Sequence, residues 1–311
     1  MRLIKKLLNF FKIPVDIILS ILIIPSSVIM LLFRKIGSHK LIFSKLILKK
    51  IGIFPLTSNY YEPSFNFDNL KKKLSDKRNL PGINLDVQNQ IKNLKRLNYV
   101  EELKNLNFDF KNNFFEAGDA EIYYQMIRYF KPSRIVEIGS GHSSLVAKEA
   151  INKNKIDNFD TKLICIEPYE NKWLEKNNIQ VVRQKVEDTN LNILSDLNKN
   201  DILFIDSSHV IKPQGDILKI FLEILPKLKT GVIVHIHDIF TPRDYPEHWL
   251  KVENRFFNEQ YLLEGILDNS SRYNIVLSLN LLKHDFYNEL KNVCPYLSEK
   301  SEPSSFYISV N

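Results

Sequence analysis

The 311-residue sequence predicts an α/β protein with a mostly parallel, seven-stranded sheet and helices on both faces. Two observations predict this class. From residue 134 onward, short and nearly continuous apolar runs alternate with helix-length segments, as strands buried on both sides do. The first run ends in Gly139-Ser-Gly141, a turn that lets backbone approach a ligand at the carboxyl end of a strand. A hydrophobic content of 44% with 25% charged residues excludes a disordered chain.

The elements follow one another along the chain without an internal repeat. Strands are predicted over 134–141, 162–168, 179–183, 201–207, 231–238, 273–279 and 305–309, the last being antiparallel. Helices are predicted over 68–75, 86–104, 119–130, 142–154, 216–225 and 281–291 and within 247–268. Asp119 is the predicted N-cap of its helix, with Glu121 in the first turn. The sheet therefore occupies residues 119–311, preceded by a cap region over 52–118.

Positive charge is concentrated at the N-terminus. Residues 1–50 hold ten basic side chains and one acidic side chain, so this segment carries +9 and the rest of the chain carries −2. A nucleic-acid-binding domain would need a basic face of its own, so that class is excluded. The two cysteines, Cys165 and Cys294, cannot form a disulfide scaffold, and we expect both to be buried and reduced.

A long apolar segment lies within this basic region. Of the 21 residues in 13–33, 15 are apolar, and a helix of that length spans about 31 Å, close to the hydrocarbon thickness of a bilayer. Basic residues flank both ends and Pro25 would bend or break a helix, so a single span and a re-entrant hairpin both stay open.

A basic amphipathic stretch over 41–51 suits an anionic membrane surface. Two alternatives for this segment are less favoured. A secretory signal peptide would need a cleavage site after the apolar run, and none follows it. A helix of a soluble core would not need the flanking cations. We expect residues 1–51 to associate with a membrane and the catalytic domain to lie in the cytoplasm.

Acidic side chains accompany the first three strands. Glu137 lies in the first strand, Glu167 ends the second, and Glu187 follows the third. A carboxylate at the end of the second strand can accept both hydroxyls of a ribose, and the position after the third strand suits an adenine. A dinucleotide fingerprint would need a third glycine at position 144, which is Ser144, and this disfavours a nicotinamide-dependent oxidoreductase.

In order and spacing, the loop at 137–141, Glu167 and the strand at 201–206 resemble the class I S-adenosylmethionine-dependent methyltransferases. The resemblance covers about 190 residues, from 119 to 311. It implies a Rossmann-like sheet and S-adenosylmethionine as cofactor, with the loop at the methionine part and Glu167 at the ribose. The cofactor-binding residues that we expect are Glu137, Gly139, Ser140, Gly141, Glu167, Glu187 and Asp206.

Polar side chains also follow the fourth and fifth strands, whose ends open onto one crevice. Asp206, His237 and Asp238 are the predicted ligands of a divalent cation: the carboxylates suit Mg²⁺ or Mn²⁺, and the imidazole shifts the preference toward Mn²⁺, Fe²⁺ or Zn²⁺. His209 is the predicted general base, because an imidazole can take a hydroxyl proton at neutral pH. His235 alternates with His237 and is expected to face the core.

This group resembles that of the metal-dependent sugar O-methyltransferases of macrolide biosynthesis and of the related cephalosporin-hydroxylase-like family. In those enzymes a histidine three residues after the first aspartate is the general base, and His209 stands at that position. His237 departs from their pattern, because they have an acidic ligand there.

The loop at 241–249 is polar, aromatic and long enough to cover a substrate, with Tyr245, His248 and Trp249 as candidates for stacking. Two further segments are predicted to cover the cofactor pocket, 57–63 and 111–121. The predicted function is methyl transfer to oxygen of a small-molecule, saccharide or lipid-linked saccharide acceptor. Whether a divalent cation assists the reaction stays open at this point. The alternative is a non-catalytic nucleotide-binding or scaffold protein at the membrane that retains the fold.

Overall fold

The structure is a computed structural model that describes residues 2–36, 40–51, 70–169, 171–190 and 192–311. Its internal contacts divide the chain into two compact units. The first unit comprises the chain up to Lys73 and the segment Pro246–Phe256, and the second comprises Leu74–Tyr245 and Phe257–Asn311. The domain boundaries expected after residues 51 and 118 stay predictions.

The second unit is built on one seven-stranded sheet. Its strands are β1 Arg134–Ile138, β2 Lys162–Ile166, β3 Gln180–Val182, β4 Ile202–Ile205, β5 Ile233–Ile236, β6 Tyr273–Ser278 and β7 Phe306–Val310. Their spatial order is β3-β2-β1-β4-β5-β7-β6. Strands β1 to β5 are parallel, and β7 is antiparallel to both β5 and β6. The predicted mostly parallel sheet with an antiparallel last strand is confirmed.

Strand β4 shows why the apolar runs are nearly continuous. All four of its residues are buried. Ile202 and Phe204 pack into the core cluster on one face of the sheet, and Leu203 and Ile205 pack into the cluster on the other. Because each such side chain contributes about 1.5–3 kcal/mol when fully buried, a polar residue at any of these positions would be costly.

The helices are α1 Arg2–Ile36, α2 Ile42–Ile51, α3 Val87–Leu94, α4 Val100–Lys104, α5 Asp119–Phe130, α6 His142–Ile156, α7 Asn192–Ser195, α8 Asp216–Lys219, α9 Glu259–Leu267, α10 Leu279–Asp285 and α11 Tyr287–Val293. Helix α8 continues as a π-helical and then a 3₁₀ turn to Lys227. The helix predicted over 86–104 is wrong in one respect, because it is split into α3 and α4. A tertiary contact lies at the break, where the Tyr99 N–H donates to Gln125 Oε1 at 3.2 Å. The described part of the helix predicted over 68–75 is also wrong, since residues 70–75 form turns and irregular backbone.

The first unit contains α1 and α2. Helix α1 runs for 35 residues through Pro14 and Pro25 without interruption, so the break that a re-entrant hairpin requires is not present in it. Its segment Ile13–Met30 is long and apolar enough to cross a membrane, by length and composition alone, and none of that segment is buried. Such exposure is the opposite of what a core helix of a soluble protein shows.

Helix α2 is bonded to the second segment of the same unit. Lys45 Nζ donates to the carbonyl oxygens of Lys251 at 2.6 Å and Val252 at 3.1 Å. These carbonyls lie in the short π-helical turn that follows the predicted substrate loop. Part of the chain between β5 and α9 therefore belongs to the unit that carries the apolar helix.

Candidate active site

The glycine turn after β1 lies directly against the end of β4. Gly139 has a φ of 79°, and its N–H donates to the Ile166 carbonyl at 3.0 Å. The Asp206 N–H donates to the Ile138 carbonyl at 2.8 Å. A Cβ at position 139 would lie 1.7 Å from the Asp206 carbonyl oxygen, so only glycine fits this turn.

Glu167 follows β2 and faces the same turn. Its carboxylate accepts the Ser140 N–H at 3.4 Å, and Asn171 Nδ2 donates to the Ser140 carbonyl at 2.7 Å. Glu187 lies in a short 3₁₀ turn just after β3 and is half-buried. The structure therefore brings the predicted ribose carboxylate beside the turn, and the cofactor contacts of these residues stay predictions.

Glu137 has a different environment. Its side chain is 0% exposed, and its carboxylate accepts hydrogen bonds from Tyr123 at 3.0 Å, from Ser144 and from Cys165 at 3.5 Å. Burial raises the pKa of Glu137 to about 7, although the hydrogen bonds from Ser144 and Tyr123 oppose that rise. The expected contact of Glu137 with the cofactor stays a prediction, and in this conformation all the partners of its carboxylate are interior groups.

An aromatic surface adjoins the turn. Gly141 is the N-cap of α6, and His142 is the first residue of that helix. The His142 ring stacks on Phe114 at 4.9 Å between centroids and meets Trp173 edge-on at 5.8 Å. Phe114 is 72% exposed, as a residue that covers a ligand would be. One signal in the sequence pointed to His142, its place directly after the Gly-x-Gly turn, and the predicted site did not include it.

The ends of β4 and β5 bring two carboxylates and two imidazoles together. Asp206 Oδ1 lies 3.2 Å from His209 Nε2 and 3.4 Å from His237 Nδ1. Asp238 lies 3.6 Å from the same atom of His209 and 3.5 Å from the same atom of His237. Each imidazole is therefore shared between both carboxylates.

Backbone strain marks the same place. His209 and Asp238 both have a φ of 58°, in the left-handed region that non-glycine residues rarely adopt. Such a conformation costs on the order of 1 kcal/mol and persists only where the surroundings hold it. The turn before His209 is held by Asp216, which accepts the Ser208 N–H at 2.8 Å and the Ser208 hydroxyl at 2.7 Å.

Asp119 supports His237 from a third element. Its carboxylate lies 3.5 Å from His237 Nε2 and accepts the N–H groups of Ser304 at 3.0 Å and Ser305 at 2.7 Å. The prediction that Asp119 caps α5 is wrong, because Gly118 is the N-cap, with a φ of 93°, and Asp119 is the first helical residue. The Asp119 carboxylate is bonded to the backbone before β7, whereas an N-cap side chain would accept an N–H group of its own helix.

His209 is held from the side opposite to the two aspartates. Its Nδ1 lies 2.8 Å from Glu259 Oε2, and its ring centroid lies 4.8 Å from that of Phe257. Glu259 is the first residue of α9 and is completely buried. The sequence did not single out Glu259, since 50 residues separate it from His209 and no local pattern links them.

The charges in this group determine each other's pKa. Burial would lower the pKa of His209 and of His237, but the surrounding carboxylates outweigh it and raise both well above the ordinary value. Burial would raise the pKa of Asp206, but the two imidazoles lower it well below its ordinary range. These residues by themselves therefore favour protonated imidazoles at neutral pH.

His235 faces the other side of β5, as predicted. Its ring stacks on Tyr307 at 4.1 Å, and its Nε2 lies 2.7 Å from Ser305 Oγ. Burial lowers the pKa of His235 well below the ordinary value, so this histidine is a neutral core residue. The alternation along a strand explains why two histidines that are two residues apart have such different environments.

The donor atoms fit a divalent cation. One donor atom each from Asp206, His209 and Asp238 lies within 4.8 Å of the others. The predicted set had His237 in place of His209, and His237 Nδ1 is also within 3.5 Å of both carboxylates. The predicted set would leave the lone pair of His209 Nε2 free, whereas a cation bound to His209 Nε2 would occupy it. A mixture of carboxylate oxygen and imidazole nitrogen favours Mn²⁺, Fe²⁺ or Zn²⁺ over Mg²⁺. The cation and its ligands stay predictions.

The predicted substrate loop divides between the two units. Tyr245 is buried in the second unit, where its hydroxyl accepts the Gln260 N–H at 3.0 Å, so it serves as packing in this conformation. In the first unit, the exposed His248 pairs with Glu253 at 3.0 Å. The Arg255 guanidinium lies over the Trp249 ring in the same unit. The other covering segment predicted, 57–63, lies outside the described residues.

Comparison with known proteins identifies the family. A family model described as a methyltransferase domain matches residues 136–239, which run from β1 to just after β5. An uncharacterized protein of Archaeoglobus fulgidus is 31% identical over 193 residues, covering 55% of this chain and 86% of its own. The chain belongs to the class I S-adenosylmethionine-dependent methyltransferases. It is an enzyme, and S-adenosylmethionine is its methyl donor.

Solved methyltransferase structures are also similar to this methyltransferase. The plantazolicin methyltransferase BpumL, with S-adenosylhomocysteine, is 14% identical with a TM-score of 0.41, over 73% of this chain and 96% of that one. An O-methyltransferase of Bacillus cereus is 12% identical with a TM-score of 0.39, over 70% and 90%. TomG of Streptomyces achromogenes is 17% identical with a TM-score of 0.38, over 71% and 90%. At these TM-scores the similarities do not identify an acceptor.

Proposed function

We propose that this methyltransferase acts on a hydroxyl oxygen of a saccharide or lipid-linked saccharide at a membrane, with His209 as the general base. The observation that carries the proposal is the position of His209 Nε2, beside both strand-end carboxylates at 3.2 and 3.6 Å. A base at the ends of β4 and β5 adjoins the Gly139 turn, because that turn contacts Asp206. An acceptor hydroxyl there can therefore meet both the base and the methyl donor.

The chemistry balances without a further reactant. The cofactor supplies a methyl group on a sulfonium sulfur. As the acceptor oxygen forms its bond to the methyl carbon, the carbon–sulfur bond breaks and His209 Nε2 takes the hydroxyl proton. The products are a methyl ether and S-adenosylhomocysteine, and the proton passes from His209 to solvent. The protein contributes mainly the alignment of the reactants.

The cation would serve this chemistry in two ways. It would lower the pKa of an acceptor hydroxyl. The carboxylates of Asp206 and Asp238 raise the pKa of His209, and a cation neutralises the same carboxylates. A bound cation would therefore favour the neutral imidazole that a general base must be.

The membrane part of the proposal is supported by the first unit. Helix α1 exposes its apolar segment Ile13–Met30 throughout, and α2 combines exposed apolar side chains with basic residues in its last turn. The bond from Lys45 to the carbonyls at 251 and 252 links α2 to the chain that follows the substrate loop. We propose that the second unit, the catalytic unit, lies on the cytoplasmic side, where S-adenosylmethionine is available.

The test is a labelled-methyl assay. The full-length protein in a mild detergent is incubated with S-adenosylmethionine labelled on its methyl group and a membrane extract, and the labelled product is identified. We expect an O-methyl ether, and its formation should fall by about 10²–10⁴-fold in His209→Ala. The matched control is His284→Ala, because His284 lies on α10 and pairs with Glu302, away from the ends of β4 and β5. Label on nitrogen or carbon, or an unchanged rate in His209→Ala, would overturn the proposal.

A further inference from the structure

The N-terminus of α9 clamps the loop that carries His209. The N–H groups of Asn258 and Glu259 both donate to the His209 carbonyl, at 3.0 and 3.2 Å. The Asn258 side chain accepts the Ile211 N–H at 2.6 Å. The backbone of His209 is therefore held by α9, a helix that follows β5 in the chain.

The Glu259 side chain completes this clamp on the imidazole itself. Its Oε2 lies 2.8 Å from His209 Nδ1, while Oε1 is buried with no hydrogen-bond partner among the described residues. A fully buried carboxylate with an unpaired oxygen is costly, and an apolar side chain would pack there without that cost. Fold stability alone therefore does not account for a glutamate at this position.

The two ring nitrogens of His209 have different neighbours. Nδ1 faces Glu259, whereas Nε2 faces Asp206 and Asp238 at the end of the strands. A carboxylate acceptor at Nδ1 selects the tautomer with its proton on that nitrogen, which leaves the lone pair on Nε2. Without that acceptor, a neutral ring can place its proton on Nε2 toward Asp206, and it then cannot accept a proton from a substrate.

We propose that Glu259 is a positioning residue of this methyltransferase, which holds the His209 ring and its tautomer so that Nε2 is the basic nitrogen. The inference rests on the proposed role of His209 as the base. Glu259 is completely buried behind the imidazole, so its role is to act through His209 and not on the reactants directly.

A spectroscopic test does not require turnover. A proton between a histidine nitrogen and a carboxylate resonates downfield of the backbone amides, and burial of both groups slows its exchange with water. Among the downfield resonances of ¹⁵N-histidine-labelled, full-length protein, we expect one from the proton between His209 Nδ1 and Glu259, which disappears in His209→Ala and in Glu259→Ala. Glu259→Gln should keep a shifted resonance, because its amide oxygen can still accept the proton.

The matched control is Glu264→Gln. Glu264 is a buried carboxylate on the same helix, but its partners are Arg78 and Thr241. This variant undergoes the same chemical change in the same element and should leave the histidine resonance in place. A resonance that is missing from the wild type, or that survives Glu259→Ala, would overturn the proposal.

Turnover gives the second readout, with the labelled-methyl assay and a membrane extract. We expect Glu259→Ala to lower the maximal rate by about 10- to 100-fold with an unchanged affinity for S-adenosylmethionine in calorimetry, and Glu259→Gln to recover part of the rate. If Glu259→Ala does not fold, the methyl-transfer rate of Glu259→Gln is compared with that of Glu264→Gln, and a lower rate in Glu259→Gln alone supports the positioning role. A folded Glu259 variant with the wild-type rate, or with loss of rate and donor binding together, contradicts a positioning role. If the wild type itself transfers no methyl group to oxygen, the proposed function fails, and the resonance still tests the clamp.

Discussion

Replacing Glu137 by glutamine should flatten the dependence of stability on pH. Glu137 is completely buried in the catalytic unit, and its pKa is raised from 4.5 to about 7, with burial as the largest cause. The folded protein therefore binds this proton more tightly than the unfolded chain. The free energy of unfolding consequently falls as pH rises from about 4.5 to about 7.

The magnitude follows from that difference in pKa. At about 1.4 kcal/mol for each pH unit, the ionisable Glu137 changes the free energy of unfolding by about 3 kcal/mol across this window. Glutamine cannot ionise, so Glu137→Gln lacks this contribution. The difference between the two proteins should therefore favour the wild type by about 3 kcal/mol more at pH 4.5 than at pH 7.5.

The assay is a urea titration of the full chain in a mild non-ionic detergent, without S-adenosylmethionine, at several pH values between 4.5 and 7.5. Tryptophan fluorescence follows unfolding, because Trp173 lies in the catalytic unit. The control is Glu223→Gln, which changes an exposed carboxylate and should follow the wild-type curve. Parallel curves for Glu137→Gln and the wild type would refute the reasoning, since the proton would then not be linked to folding.

Three further outcomes are expected. Gly139→Ala should abolish binding of S-adenosylmethionine in calorimetry, since its Cβ would overlap the carbonyl of the residue at the end of β4, whereas Gly265→Ala, with open space around the new Cβ, should bind normally and gain about 0.5–1 kcal/mol of stability. Asp206→Asn should lose the heat of Mn²⁺ binding that we expect for the wild type, and equal heats in both would count against the cation site. Leu22→Asp should move protein from the membrane to the soluble fraction, because an aspartate at the centre of a span costs about 3 kcal/mol. Ile156→Asp, at an exposed position of the catalytic unit, should stay in the membrane fraction. Retention of Leu22→Asp in the membrane together with this control would contradict the span.

The fold was predictable because its signals are local. Strands β4 and β5 are buried on both faces, so their apolar runs are visible in the sequence without knowledge of their neighbours. Helix interruptions were less predictable. The break between α3 and α4 lies where the Tyr99 N–H bonds to a side chain of α5, and no local pattern encodes that contact.

The site shows the same division. Asp206, His209, His237 and Asp238 could be placed together from sequence, because neighbouring parallel strands end at one edge of a sheet. The separate environment of His235 also followed from alternation along β5.

The sequence by itself determined the fold class, the glycine turn, the carboxylate after β2 and the group of residues at the ends of β4 and β5. Only the tertiary structure decided which side chains hold that group in place. Asp119 and Glu259 reach the two imidazoles from α5 and α9, and Glu137 turns inward to Tyr123. These contacts join residues far apart in the chain through burial and hydrogen bonding, and a pattern read along one dimension does not contain them.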